Sequence, residues 1–249
     1  MIRTLKPEDQ KPVEALCAGS AFGCRIASTL VAYGIEYPFA QFWIQEIESR
    51  PVAVLCRLDD VITLQSWPRA DMVELREMIQ AVGPRVLCCD KSVAQVMGFF
   101  PQSCGKILTR TARFPTGEQQ EPFLSLRDLY NLWDQCSDPF FQPPAFEAFY
   151  LDASHRMRHQ AAAAVGIQQD RLVSGAWILY SPTDALISSA AVHPDFRGRG
   201  LGKRTVLYAL ERMFPRRGFV LCNQIKNERF YQSVGFVPCG EWCEIMFGS

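Results

Sequence analysis

Glycines 198, 200 and 202 lie in the stretch Val192-His193-Pro194-Asp195-Phe196-Arg197-Gly198-Arg199-Gly200-Leu201-Gly202-Lys203-Arg204, between an apolar segment and one with helical periodicity. With no Cβ at these positions a ligand can approach the main chain, and successive N–H groups can converge on an anion where a helix begins. Charge agrees with that geometry. His193 to Arg217 carries seven Lys or Arg against Asp195 and Glu211, whereas the whole chain balances 26 basic with 26 acidic residues. The stretch predicts a local phosphate site. Arg197, Arg199 and Lys203 are its cations, and Arg212, Arg216 and Arg217 are solvated residues of a helix face.

The spacing narrows the choice of phosphate ligand. A Walker loop needs Gly where this chain has Arg197, and Ser or Thr where it has Arg204, to hold magnesium. A dinucleotide fingerprint reads GxGxxG and opens the first β-α-β unit, but this loop reads GxGxG and follows several strands. The loop does resemble the pyrophosphate-binding motif of the GNAT superfamily of N-acetyltransferases, in which Arg or Gln is followed at the third and fifth positions by Gly and by Gly or Ala. Here these are Arg197, Gly200 and Gly202, after Val192-His193-Pro194 at a strand end. Further on, Phe230-Tyr231-Gln232-Ser233-Val234-Gly235-Phe236 is similar to the family's Phe-Tyr-x-x-x-Gly-Phe segment.

The resemblance implies an α/β fold with a mixed sheet, the acyl-CoA transferase fold, with acetyl-CoA as cosubstrate. It implies that the backbone N–H groups of Arg197, Gly198, Arg199, Gly200, Leu201, Gly202 and Lys203 hold the coenzyme A pyrophosphate. The main chain at Ala191 and Val192 would pair with the pantetheine arm, and no metal would take part. The implied reaction is direct transfer of an acetyl group to a primary amine of a small molecule or peptide in a ternary complex. The alternative is a sensor or structural protein that binds acetyl-CoA without turnover.

Amine acetylation needs a neutral amine, a donor to the tetrahedral oxyanion and a proton for the leaving thiolate. By its match to the family's Phe-Tyr position, Tyr231 is the candidate proton donor. Asn227, one helical turn earlier, shares its face and is a candidate contact for the pantetheine arm, although an N-cap role would also account for it; Gln224 is the alternative. The base is missing where many family members carry Glu, because Leu186 to Ala191 contains no carboxylate. A relayed water, Glu147 or Asp152, or an amine arriving neutral must then serve. His193 is expected to be structural, and His155 and His159, which lack a third ligand, to be surface residues.

Around these residues the periodicities predict an ordered set of elements. Ser125-Leu126-Arg127-Asp128 has capping-box form and opens a helix to about Cys136, followed by a helix from Pro144 to Arg158. Strands follow at 162–167, 172–180 and 185–192, then a helix over 203–214, a strand at 219–222, a helix over 227–234 and strands over 237–247. In the first half, strands at 39–47, 52–58 and 61–67 precede a helix over 71–82, a strand at 86–89 and a helix over 92–97. Both halves close their last helix alike, with Met97-Gly98-Phe99 and Val234-Gly235-Phe236. The expectation is two tandem GNAT-like units. Residues 1–115 form a degenerate one, since Trp67-Pro68-Arg69-Ala70-Asp71 replaces the glycine loop, and 122–249 form the acetyltransferase domain. The polar segment Pro115 to Pro122 joins them.

Composition sets outer limits. The 249 residues are 48% hydrophobic and 21% charged, a globular balance, and neutral overall charge argues against a nucleic-acid partner. No apolar run approaches the roughly 20 residues of a membrane span. The ten cysteines are expected to be free thiols, in a cytoplasmic protein that is a monomer or homodimer. Phe140, Phe141, Phe146, Phe149 and Tyr150 are expected to pack against the sheet, with an apolar acceptor pocket as their alternative use.

Overall fold

The computed structural model describes residues 1–111, 124–139 and 141–248. The predicted linker at 115–122 and Phe140 lie outside the described residues. The first half runs β1 (Ile2–Thr4), α1 (Gln10–Cys17), α2 (Ala21–Tyr33), β2 (Ala40–Ile47), β3 (Arg50–Leu58), β4 (Val61–Ser66), α3 (Met72–Val82), β5 (Val86–Asp90), α4 (Lys91–Val96) and β6 (Ser103–Thr111). The second half runs α5 (Leu126–Gln135), α6 (Phe146–Arg158), β7 (Ala162–Gln168), β8 (Leu172–Tyr180), β9 (Asp184–Val192), α7 (Leu201–Met213), β10 (Arg217–Cys222), α8 (Ile225–Ser233) and β11 (Val237–Met246). From α1 onward the two halves repeat one order of elements.

Local chemistry explains the well-anticipated pieces. Asp71 accepts from the N–H groups of Val73 and Glu74 to start α3, which ends at Gly83 in the left-handed conformation. Ser125 accepts from Asp128 N–H and opens α5, whose buried face carries Leu129, Leu132 and Trp133. α7 begins two residues before the expected start and buries Val206, Ala209, Leu210 and Met213. Four elements were not anticipated: β1, α1, α2 and β6. β6 is the consequential one.

The strands form one 11-stranded sheet in the order β1-β2-β3-β4-β5-β11-β6-β10-β9-β8-β7. Among the described residues only β4 with β5 and β9 with β10 run parallel. The last strand of each half has moved to the other: β11 pairs with β5, β6 pairs with β10, and the two exchanged strands pair with each other at the centre. The halves predicted as successive units therefore share a continuous sheet.

Side chains alternate across the sheet, so each strand feeds two layers. On one face α1 and α2 cover Phe42, Ile44, Val54 and Cys56, and α5 and α6 pack Trp133 and Phe149 onto Trp177, with α2 residues Phe22 and Cys24 in the same cluster. On the other, α3 and α4 cover Leu55, Leu64 and Leu87, and α7 and α8 cover Ile187 and Val220. α2 crosses the join. The Ser28 hydroxyl donates to Ala161 C=O at 2.9 Å, and Arg156 reaches both Ser28 and Thr29. Gly19 N–H donates to the buried Asp184 carboxylate at 2.7 Å.

All ten cysteines are free, and eight of them are buried. Phe149 packs as expected, whereas Tyr150 and Leu151 are exposed. Among the described residues no helix is long and apolar enough to cross a membrane.

The exchanged strands meet at Gly105 of β6, where an added Cβ would lie 1.8 Å from Cys222 O and 2.8 Å from Trp242 Nε1. Neither neighbour can yield, because Trp242 itself donates to Cys222 O at 3.2 Å. Gly105→Ala is expected to lower unfolding free energy in denaturant titration by about 3 kcal/mol, the upper range for overpacking. Gly83→Ala, with open space around its Cβ and a φ of +61°, should cost about 1 kcal/mol.

Candidate active site

The site arises where two parallel strands part. β9 and β10 stay in register from Asp184↔Arg217 to Ile187↔Val220; beyond that, β9 remains on β8 and β10 remains on β6. A β-bulge marks the point of departure, since Trp177 faces Ser189 and Ile178 faces Ile187, leaving Ser188 unpaired. Bulges bend a strand and increase its twist, which here turns β9 away from its neighbour. The opening is a cleft of about 580 Å³ through the sheet. Gly202, Thr205 and Val206 of α7 and Asn227, Phe230 and Tyr231 of α8 line it on one face. Arg25, Phe141, Trp242 and Glu244 line it on the other.

The glycine loop closes the first mouth. Gly198 and Gly200 have φ of +76° and +75°, and Gly200 is the N-cap of α7. Arg204 N–H is the first to return to the helix, bonding Gly200 O, so the N–H groups of Leu201, Gly202 and Lys203 are the open donors of a helix start. That is a ready anion cradle, with no side chain capping it among the described residues. Arg197 Nε donates to Val192 O at 3.2 Å, which folds its side chain onto the strand end and the cleft wall. Arg199 turns the other way: its guanidinium lies 5.1 Å from the Phe196 ring centroid and donates to Asp195 O. Leu201 is buried against Ile167 and Val173, leaving only its backbone to serve the loop.

Of the residues singled out from the sequence, Ala191, Val192, Arg197, Gly202, Asn227 and Tyr231 line the cleft. Gly198, Arg199, Gly200, Leu201 and Lys203 shape the loop but do not form its wall. Asn227 is not the N-cap of its helix. Gln224 occupies that position, accepts from Asn227 N–H at 3.0 Å and also lines the cleft. Tyr231 is 8% exposed, its ring packed against Phe230 and Phe236, and its phenol has no hydrogen-bond partner among the described residues. Burial, with a smaller contribution from Cys222, pushes its pKa above the ordinary tyrosine value. The phenol thus keeps its proton at neutral pH.

Two features of the wall fit an amide-bearing thioester. The Ser189 hydroxyl is buried without a hydrogen-bond partner among the described residues, so it is free to bond a ligand. The exposed Ser188 and Ala190 and the half-buried Ala191 form a strip of strand that β10 does not cover.

Other expectations shift. Asp152 is held by Arg156 at 2.8 Å and by Tyr33 Oη at 2.6 Å, and neither it nor Glu147 lines the cleft. His193 is 7% exposed and accepts from Asp195 N–H through Nδ1, a structural role. His155 is not a plain surface residue: it stacks on Tyr33 at 4.6 Å and bonds Ala32 O. Arg25, Trp242 and Glu244 were not singled out. The period-2 pattern of β11 puts Trp242 and Glu244 on one face, but their partner strands are unreadable from sequence.

The first half has the same parting of strands after Thr63↔Cys88, and α3 begins where α7 does. Its helix start is already filled. Asp71 Oδ1 accepts from Val73 N–H at 3.0 Å and Glu74 N–H at 3.1 Å. Glu74 takes Ile2 N–H at 2.7 Å, Gln45 Nε2 at 2.8 Å and the α-ammonium group at 3.2 Å. The Asp71 carboxylate thus occupies two of the helix donors that a pyrophosphate would need.

Comparison with known proteins agrees with this geometry. Residues 126–236 match the family described as "Acetyltransferase (GNAT) family", which marks that segment as a GNAT domain. Over the whole length the fold is that of a tandem GNAT protein. A tandem GNAT protein from the clavulanic acid biosynthesis pathway superposes with a TM-score of 0.62 at 15% identity, covering 98% of this chain and 97% of that one. A GCN5-related N-acetyltransferase from Sphaerobacter thermophilus gives 0.59 at 14% identity, covering 98% and 94%. A Drosophila protein gives 0.61 at 16% identity, covering 99% and 98%. No curated protein matches the sequence. The family implies acetyl-CoA-dependent acyl transfer, and the loop and cleft fit that cosubstrate.

Gly200→Glu would place a carboxylate on the open side of the loop, beside the helix donors. It is expected to weaken acetyl-CoA binding by more than about a hundredfold in calorimetric titration, while left-handed strain costs only about 1–2 kcal/mol of stability.

Proposed function

We propose that the chain is an N-acetyltransferase that holds acetyl-CoA and an amine together in the cleft between β9 and β10. The observation that carries this reading is the passage through the sheet, with open helix donors at one mouth and polar side chains at the other. The coenzyme pyrophosphate sits on the N–H groups of Leu201, Gly202 and Lys203, and the pantetheine arm runs along Ser189 to Val192. The acceptor enters from the α2 side.

Tyr231 is the acid of the reaction. Burial keeps its phenol protonated at neutral pH, so the proton is in place when the C–S bond breaks and a thiolate forms within reach. Asn227 and Gln224 flank the same wall and supply amide contacts to the arm. The acceptor is a small-molecule or peptide amine.

Tyr231→Phe separates turnover from binding. The variant is expected to bind acetyl-CoA within about threefold of wild type and to lose on the order of a hundredfold or more in kcat, read as thiol release. Unchanged turnover would remove Tyr231 from the reaction. Absence of thiol release from the wild type with every amine offered would favour the binding-only alternative.

A further inference from the structure

The acceptor mouth holds two charges of opposite sign that the fold leaves unpaired. Arg25 stands on α2 of the first half and Glu244 on β11; both line the cleft, both are half-buried, and neither forms an ion pair among the described residues. Between them lies the buried thiol of Cys88, which donates to Glu244 Oε1 at 3.7 Å and sits beside the Arg25 guanidinium. Desolvation pushes that thiol up to about 11, so it stays neutral and cancels neither charge. Half-buried charges without an ion-pair partner are unfavourable unless a ligand completes them. Asp138, the other acid of this mouth, already has a partner.

We propose that the acceptor is an aminocarboxylate: Arg25 binds its carboxylate and Glu244 receives its ammonium group and takes the proton that frees the amine. This rests on the acyl-transfer reading above. A guanidinium grips a carboxylate through paired N–H donors, which fixes orientation as well as charge. Glu244 supplies the carboxylate that the strand before the glycine loop lacks.

The step balances. The ammonium gives one proton to Glu244, and the neutral nitrogen forms a C–N bond with the thioester carbonyl. The C–S bond then breaks with its electron pair on sulfur, which takes the Tyr231 proton. A second nitrogen proton passes to the Tyr231 oxygen, leaving an amide, a thiol and one proton on Glu244 for release to solvent.

The test is a panel of glycine, β-alanine, alanine, glutamate and phenylalanine, each beside its carboxamide, added to the coenzyme A-loaded protein for binding and to the acetyl-CoA-loaded protein for thiol release. At least one aminocarboxylate should exceed its carboxamide by about tenfold or more in kcat/KM. Arg25→Gln should raise KM for that acceptor about tenfold, erase the preference and leave coenzyme A affinity unchanged, with Arg25→Lys recovering part of the loss. Glu244→Gln should act on kcat more than on KM. Equal use of acids and carboxamides would overturn the proposal, as would a preference that survives Arg25→Gln. So would a wild type that binds coenzyme A normally but no aminocarboxylate. Failure of the folded wild type to bind coenzyme A would sink the acyl-transfer reading itself, and this proposal with it.

Discussion

The antiparallel pairing of β6 with β11 at the middle of the sheet is the constraint on which the rest depends. Each strand ends one half of the chain and lies between two strands of the other half, so neither half has a complete sheet without the other. The exchange also removes two edges that would otherwise present unpaired N–H and C=O groups. Because β6 holds β10 from the central side of the sheet, β9 is free to turn away at the Ser188 bulge. The cleft is the space between a strand that stays and a strand that leaves. β11 also places Glu244 at the far mouth, and the loss of a Cβ at Gly105 permits the close approach of Trp242 and Cys222.

The repeat makes two such partings and uses one. At α7 the helix begins on Gly200 with its donors open; at α3 the same donors are closed by Asp71, and the adjoining Glu74 is tied to the chain's first residues. A carboxylate cap is a common way to start a helix, and in the first half it fills donors that stay open in the second. The first half contributes to the site by another route, through Arg25 on α2 and through β6.

The second half was largely legible in the sequence because its signals are local. The glycine loop, the capping residues at Ser125 and the stripe from Val206 to Met213 act within one or two turns of helix. Ala191, Val192, Arg197, Gly202, Asn227 and Tyr231 reach the cleft wall, whereas Gly198, Gly200, Leu201 and Lys203 only shape the loop and Arg199 turns away because a neighbouring ring, Phe196, attracts its guanidinium. β6 was not legible: Ser103-Cys104-Gly105-Lys106-Ile107-Leu108 lacks clean alternation, and its strand character comes from partners more than a hundred residues away. α2 has an apolar surface too broad for one stripe, because it covers strands of both halves. Arg25 and Glu244 come together only through that long-range arrangement.

One anion cradle, the loop before α7, is expected to serve one cleft per chain. Isothermal titration of the purified full chain with acetyl-CoA tests it directly. A stoichiometry near one is the predicted result. Two equivalents would mean that the Asp71-capped helix also accepts the coenzyme, and no binding by the folded protein would mean that the glycine loop is not its site.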